Sequence, residues 1–428
     1  MIRTRFSLVL LLTLGAAWWF SGCNLAPQEE TPTAPKADTI RQINVFLETS
    51  ASMNGYLRGS TEFKDIVSEL VTKAAQIEPV RRPLALYTID KDLKPYSGGV
   101  SAFVESLATT PLATGKSSEL HRIFEQVGAK ARNGEVAILI SDCVLSFPDA
   151  EIRKNPEINR TDASSVLKNA INQQFAQLRK DTISASVYAF ESAFNGTYYD
   201  YQNKKQVLNG EQRPFYVWAI GKQRVLTLFN QQLQERLNAK PEHRLDFGAG
   251  QTVTDYNLFF TLNREGETWE ADKPAINNLK KVKPDAPAEF ALGVDLSGLP
   301  AYAQTEEFLT KNLAVSAGNA RVKLVKVEER DDVKDAEKLK ANESRMLSES
   351  SHVLTFRVSQ LFDAQTPVTI TLPVRYDTWY VDQSTMDDRT PENRQGKTFA
   401  LQHLMNGVRE AYETGAGSFL KLSVTLNQ

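Results

Sequence analysis

The sequence predicts an α/β protein: a doubly wound, mostly parallel sheet over residues 41–238, followed by a β-rich, sandwich-like domain over 286–428. Three observations predict it. Short apolar runs alternate with amphipathic stretches of helical length as far as residue 237, the pattern of strands joined by crossover helices. Beyond 286 the apolar runs turn β-branched and alternating, with little helix between them. Finally, 428 residues with 41% apolar content are too many for one average domain and enough to fill two cores.

Ile43 to Leu47 is a strand-type run, and Glu48 to Ser52 follows it as a polar loop. Glu62 to Gln76 is helical, with Phe63, Ile66, Val67, Leu70, Val71 and Ala74 on one face. Pro83 to Asp90 is a second strand and Asp92 to Ser97 an edge piece, after which Gly98-Gly99 breaks the chain. Val100 to Leu107 and Ser118 to Ala131 have helical spacing. Glu135 to Ser141 (EVAILIS) is the most apolar run beyond the leader and reads as a central strand buried on both faces. A polar loop at 147–162 leads to a helix at 163–180. Strands at 183–190 and 215–220 and a helix at 222–237 complete the unit, with an aromatic insert, Phe194 to Tyr201, between the two strands.

Residues 239–285 read as a connector carrying a strand or two. Beyond it Glu289–Leu296, Ala320–Glu328, His352–Ser359, Pro367–Val374 and Ser418–Leu426 are strand-like. The charged run 329–350 reads as an exposed hairpin or helix, and Phe399 to Thr414 as a helical insertion before the last strand. Trp379 and Tyr380 are either surface contacts or core plugs.

Residues 1–22 read as a signal peptide. Arg3 and Arg5 precede an apolar run, Phe6 to Phe20, of secretory length and short for a membrane span. The segment closes in Phe20-Ser21-Gly22-Cys23, which resembles the lipobox of bacterial lipoproteins. That resemblance implies cleavage before Cys23 and acylation of its thiol and amine, with firm anchoring because several acyl chains share one residue. Asn24 stands where lipoproteins retained at the inner membrane carry Asp, which favours the outer membrane of a Gram-negative cell envelope. Residues 23–40, with their Pro, Ala and Glu, read as a flexible tether. The mature chain keeps one cysteine, Cys143, which is either buried at its strand end or paired with another chain.

A net charge of −2 supplies no basic field for nucleic acid. Two cysteines and four scattered histidines build neither a disulfide framework nor a Cys- or His-rich metal centre. Chemistry is left to carboxylates and hydroxyls. In open α/β sheets the place for it is beyond the carboxyl ends of the strands. Three polar clusters fall there: Glu48, Ser50 and Ser52 after the first strand, Ser117 and Ser118 at a helix start, and Asp142 after the central strand.

These residues, taken in order, resemble the metal-ion-dependent adhesion site of the von Willebrand factor A family. Its pattern is Asp-x-Ser-x-Ser after the first strand, a Thr opening a later helix and an Asp after the fourth strand. Here the corresponding stretches read Glu48-Thr49-Ser50-Ala51-Ser52, Lys116-Ser117-Ser118-Glu119 and Ser141-Asp142, and the resemblance covers residues 41–238. It implies a magnesium or similar divalent ion held by Glu48, Ser50, Ser52, Ser118 and Asp142, with Ser117 as the alternative to Ser118. One position would remain open to a partner's carboxylate. Magnesium suits such a set because it prefers a few hard oxygen ligands and keeps several waters. The departures are Glu48 in place of Asp, Ser118 in place of Thr, and Cys143 where the family carries Gly. Ser118 and Glu119 also suit a helix start on capping grounds alone.

The expected function is a lipid-anchored binding, adhesion or scaffolding protein that recognises a protein ligand at the top of its sheet. The alternative is a metal-dependent hydrolase of a phosphoester or ester, with Ser50 attacking and Asp142 and Glu48 on the ion. No nucleophile elbow and no placed general base supports that alternative, His121 being the nearest histidine in sequence. Tyr198, Tyr199 and Tyr201 form either a recognition surface or a hairpin tip packed on its own domain.

Overall fold

The structure, a computed structural model, describes residues 39–110, 112, 113, 115, 119–145, 156–248, 252–264, 269–280, 282–334, 336–413 and 417–428, with backbone alone over 156–163. The expected leader, the tether, Cys23, Ser117 and Ser118 lie outside the described residues.

Seven strands form one mixed sheet: β1 (Ile43–Glu48), β2 (Ala85–Ile89), β3 (Leu93–Tyr96), β4 (Val136–Ser141), β5 (Ile183–Tyr199), β6 (Lys205–Lys222) and β7 (His243–Phe247). Their order is β3-β2-β1-β4-β6-β5-β7. The expectation of a mostly parallel sheet is corrected. β1 is parallel to β2 and to β4, whereas β2–β3, β4–β6, β6–β5 and β5–β7 are antiparallel. The cause lies in the aromatic insert. Alternate burial continues without a break through Tyr199. Asp200 then closes a tight turn by accepting from the N–H groups of Gln202 (2.9 Å) and Lys204 (3.0 Å). A turn this short returns the chain beside itself, so β6 must run antiparallel to β5, and no crossover helix intervenes. The far half of this hairpin, residues 191–214, rises past the end of β4 as an arm.

Helices cover both faces: α1 (Glu62–Ala74), α2 (Gly99–Thr109), α3 (Leu120–Lys130), α4 (Pro156–Lys180), α5 (Gln223–Arg236) and α6 (Leu401–Glu413). Ile43, Val45 and Leu47 of β1 and Val136, Ile138 and Ile140 of β4 share a core with Phe63 and Leu70 of α1, Phe103 of α2 and Phe229 of α5. Phe46, Ala137 and Leu139 face the opposite core, with Phe124 of α3, Phe175 of α4 and Leu404 of α6. Every residue of β1 and β4 is buried, which is why EVAILIS reads as a continuous apolar run and not as an alternation. Each such Val, Ile, Leu or Phe contributes about 1.5–3 kcal/mol of transfer free energy.

The α6 helix comes from the second half of the chain yet packs on α4. Gly407 permits the approach, since a Cβ there would lie 2.6 Å from the Lys168 carbonyl oxygen. Trp379 and Tyr380 are buried in the same core, the plug reading of the two.

The remaining strands are β8 (Asn257–Leu258), β9 (Glu270–Asp272), β10 (Ala275–Asn277), β11 (Ala288–Val294), β12 (Ala314–Ser316), β13 (Arg321–Glu329), β14 (His352–Gln360), β15 (Gln365–Pro373), β16 (Ser384–Thr385), β17 (Thr398–Phe399) and β18 (Ser418–Asn427). They form a sheet β12-β15-β18-β10-β9, a sheet β13-β14-β11-β8 and a small β16–β17 pair. Phe290, Leu354 and Phe356 of the second sheet and Ile370, Leu420 and Val424 of the first contribute to a single hydrophobic core. The connector is divided between all three large sheets, through β7, β8 and the β9–β10 hairpin. Part of the charged run 329–350 is a short helix, Ala341–Ser348.

Candidate functional site

The crevice expected from the sequence forms between β1 and β4. From β1 the chain continues to β2 on one side, and β4 is added on the other, so the carboxyl ends of β1 and β4 splay connections in opposite directions. Leu47 pairs with Ile140, which sets Glu48 beside Ser141 and leaves Asp142 just beyond.

The chain leaves β1 by a hydrogen bond from the Thr49 N–H to the Ile89 carbonyl (2.8 Å) and enters a 3-10 turn, Ala51–Gly55, with Ser50 at its N-cap. The turn brings the Ser50 and Ser52 hydroxyls to 2.9 Å, sharing a hydrogen bond. Ser52 also bonds the Asp142 carboxylate, which accepts a second bond from the Val144 N–H at 3.1 Å. Ser50, Ser52 and Asp142 thus form one connected chain of oxygens. Gly115 approaches from the third expected segment: its N–H donates to the Thr49 carbonyl (2.9 Å), and a Cβ there would lie 2.8 Å from Asp90 Cβ. The segment expected to carry the third hydroxyl therefore returns to this end of the sheet.

Glu48 accepts a short hydrogen bond from the Ser141 hydroxyl, whose oxygen accepts from the Cys143 N–H (2.8 Å). The extra methylene relative to Asp carries its carboxylate across to the neighbouring strand. Cys143 is buried with φ +52, and burial pushes its thiol well above the usual range. Of the two readings of this cysteine, burial is the one seen. His121 is partly exposed, on the Glu119 carboxylate at 3.5 Å.

Asp142 is 2% exposed, Ser50 0% and Glu48 1%. Burial pushes the Asp142 carboxyl above the ordinary carboxylate range, against the Ser52 and Val144 hydrogen bonds and the field of Arg213. A buried carboxylate whose charged form is under-stabilised, beside two hydroxyls, is a donor set that a hard divalent ion suits. Among the described residues no three His, Cys, Asp or Glu side chains converge, so an ion here would rest on hydroxyls as much as on carboxylates.

Sequence reasoning missed the groups that close the crevice. Arg213, 1% exposed, lies with its guanidinium 4.3 Å from the centre of the Tyr198 ring. It donates to the carbonyls of Lys397 (3.2 Å) and Arg394 (3.4 Å). Tyr198 donates a short hydrogen bond to Asp388, whose other oxygen accepts from the Tyr201 N–H (2.9 Å). Arg394 grips Glu211 with two bonds of 2.9 Å and reaches Gln206 at 2.8 Å. Tyr56 donates to the Pro214 carbonyl (2.6 Å), tying the Ser50–Ser52 turn to the arm. The one signal in the sequence was an arginine directly before the apolar run PFYVWAI.

The placement of Tyr198, Tyr199 and Tyr201 as ligand contacts is corrected in this conformation. Tyr198 and Tyr201 are 3% and 4% exposed, covered by the chain's own residues 384–400, with Tyr201 stacked on Phe399 at 5.6 Å. Tyr199 remains half-buried, with the Lys205 ammonium 5.8 Å from its ring centre. Among the described residues no helix is long and apolar enough to cross a membrane. No family model, curated protein or solved structure matches the chain.

Proposed function

We propose that the protein is a lipid-anchored binding or scaffolding protein of the bacterial cell envelope, which recognises a protein ligand at the crevice between β1 and β4. The reading rests on one observation: Ser50, Ser52 and Asp142, far apart in sequence, form a connected oxygen set where the strand connections diverge. A Mg²⁺ ion held there by Ser50, Ser52 and Asp142, with Ser118 and Glu48 nearby, would offer an open coordination position to a partner's Asp or Glu. This is the von Willebrand factor A mode of adhesion that the three motifs resemble. The N-terminal Cys23 would carry the lipid, with the outer membrane as its destination.

Capture from envelope extracts by wild-type protein and by Asp142→Ala, each with Mg²⁺ and with chelator, tests the recognition. Capture that chelator and Asp142→Ala both abolish is the expected result. Equal capture in all arms, or turnover of a generic phosphoester that Ser50→Ala removes, overturns it. Separately, Cys23→Ser is expected to leave the protein unlipidated and in the soluble fraction.

A further inference from the structure

A recognition crevice that is 0–2% exposed at Glu48, Ser50 and Asp142 cannot meet a partner's side chain as it stands. We infer that residues 384–400 are an intramolecular latch that holds this crevice closed against the β5–β6 arm, and that its displacement opens the site. The inference rests on reading the crevice as a recognition site.

The latch touches the crevice directly. Phe399, Ala400 and Met386 pack on Val144 and Leu145, the residues that follow Asp142. The Thr398 hydroxyl lies 3.2 Å from that of Tyr216, the cross-strand partner of Ser141. The Arg213 guanidinium joins the two regions, bonding latch carbonyls while its charge bears on Asp142.

The closure is polar. Outside the Val144 cluster the latch holds the arm through Arg394 on Glu211, Asp388 on Tyr198, and Gln206 donating to the Arg389 carbonyl (3.0 Å). Contacts of this kind within a chain resemble those of interfaces that open and reclose, because separation returns charged groups to water and not large apolar faces. Both flanks are anchored, by Tyr380 on one side and Leu401 on the other, each buried in the core under α6. At the second flank Ala400 is held at φ +60 while 1% exposed, a strained conformation for a residue with a Cβ. Opening would also uncover Tyr198 and Tyr201, the aromatic pair now beneath the latch.

Hydrogen exchange on the full chain tests this with two variants, Arg394→Ala and Glu211→Gln, which break the same ion pair from opposite sides. Glu211 lies on the arm with its side chain 16% exposed, so its substitution empties no buried site. Exchange across 384–400 is expected to rise on the order of tenfold or more in both, the amides of Cys143 and Val144 following while Phe46 and Leu139 keep their protection. Unchanged protection of Cys143 and Val144 overturns the inference. So does equal acceleration at Phe46 and Leu139, which would make the segment part of one cooperative unit, and so does no acceleration in either variant. Failure of chelator-sensitive capture in wild type and variants alike would sink the recognition reading alone, leaving the exchange result to decide the latch.

Discussion

The guanidinium of Arg213 lies 4.3 Å from the centre of the Tyr198 ring, and both side chains are buried. Arg213 is the positive group that Asp142, Asp388, Tyr56 and Tyr198 share, and their fields together raise its own pKa despite burial. Arg213→Ala leaves two buried carboxylates without that charge and is expected to cost about 3–5 kcal/mol of stability. Arg213→Lys keeps the charge but loses the planar face and the fork that reaches two carbonyls, so it should fall between the two. Urea denaturation of the three forms checks the order. A loss below about 1 kcal/mol for Arg213→Ala would show that the network is not held by this residue.

The first half of the fold was legible because burial on both faces writes continuous apolar runs, and β1, β2 and β4 with their helices read directly from them. The β5–β6 hairpin was misread because its two ends are apolar while its middle alternates, so it looked like two strands with an insert. Strand direction is set by the length of the connection, and a five-residue polar turn was hidden among tyrosines. At the site, Ser50, Ser52 and Asp142 were legible because short spacing and strand ends fix where they go. Arg213, Asp388 and Arg394 were not, since what pairs them is a return of the chain from 170 or more residues away. Local pattern carries no record of such a return.

Asp142 is the one carboxylate bonded to Ser52, so its removal separates ion binding from folding. Asp142→Ala is expected to keep the wild-type circular dichroism spectrum while losing any rise in melting temperature with Mn²⁺ or Mg²⁺. At a hundredfold excess over Kd a single ion site stabilises by about 2.7 kcal/mol, which is readily seen as a shift in melting. A wild type that shows no shift with either ion ends the metal proposal and leaves a purely structural hydrogen-bond chain.

Glu48 reaches the Ser141 hydroxyl only because its arm is long. Glu48→Asp withdraws the carboxylate from β4 and leaves a buried hydroxyl one partner short, a loss of about 1–3 kcal/mol. Thermal or chemical denaturation measures it. A variant as stable as wild type would mean that the shorter carboxylate finds an equivalent partner on its own strand.

Burial raises the Asp388 carboxyl above the ordinary range, opposed by the Tyr198 and Tyr201 hydrogen bonds and by Arg213. The sign follows from linkage. Below the ordinary carboxylate value, near 3.8, both folded and unfolded chains hold the proton. As pH rises from there to the raised folded value, the unfolded chain releases it first, and stability is lost. Asp388→Asn has no such titration. The stability difference, wild type minus Asp388→Asn, should therefore fall with rising pH over that window, by no more than about 1.4 kcal/mol per pH unit for one proton, and then level off. Denaturant midpoints from pH 3.5 upward provide the test, and a difference that grows with pH would reverse the assignment.

Gly55 ends the turn that carries Ser50 and Ser52, and a Cβ there would overlap the ring of Phe194 on the arm. That ring packs edge-on against Tyr56 at 5.1 Å, and Tyr56 in turn bonds the Pro214 carbonyl. Gly55→Ala must therefore push the arm from the site loop or distort the loop itself, at about 1–3 kcal/mol. Phe194→Ala alone removes a buried aromatic at about 3–5 kcal/mol. If the clash is the cause, the double variant is less destabilised than the sum, because the alanine methyl then enters the space the ring has left. Additive losses in that cycle would place the glycine requirement in the backbone of the turn, and the close approach of the Ser50–Ser52 loop to the arm would lose its steric account.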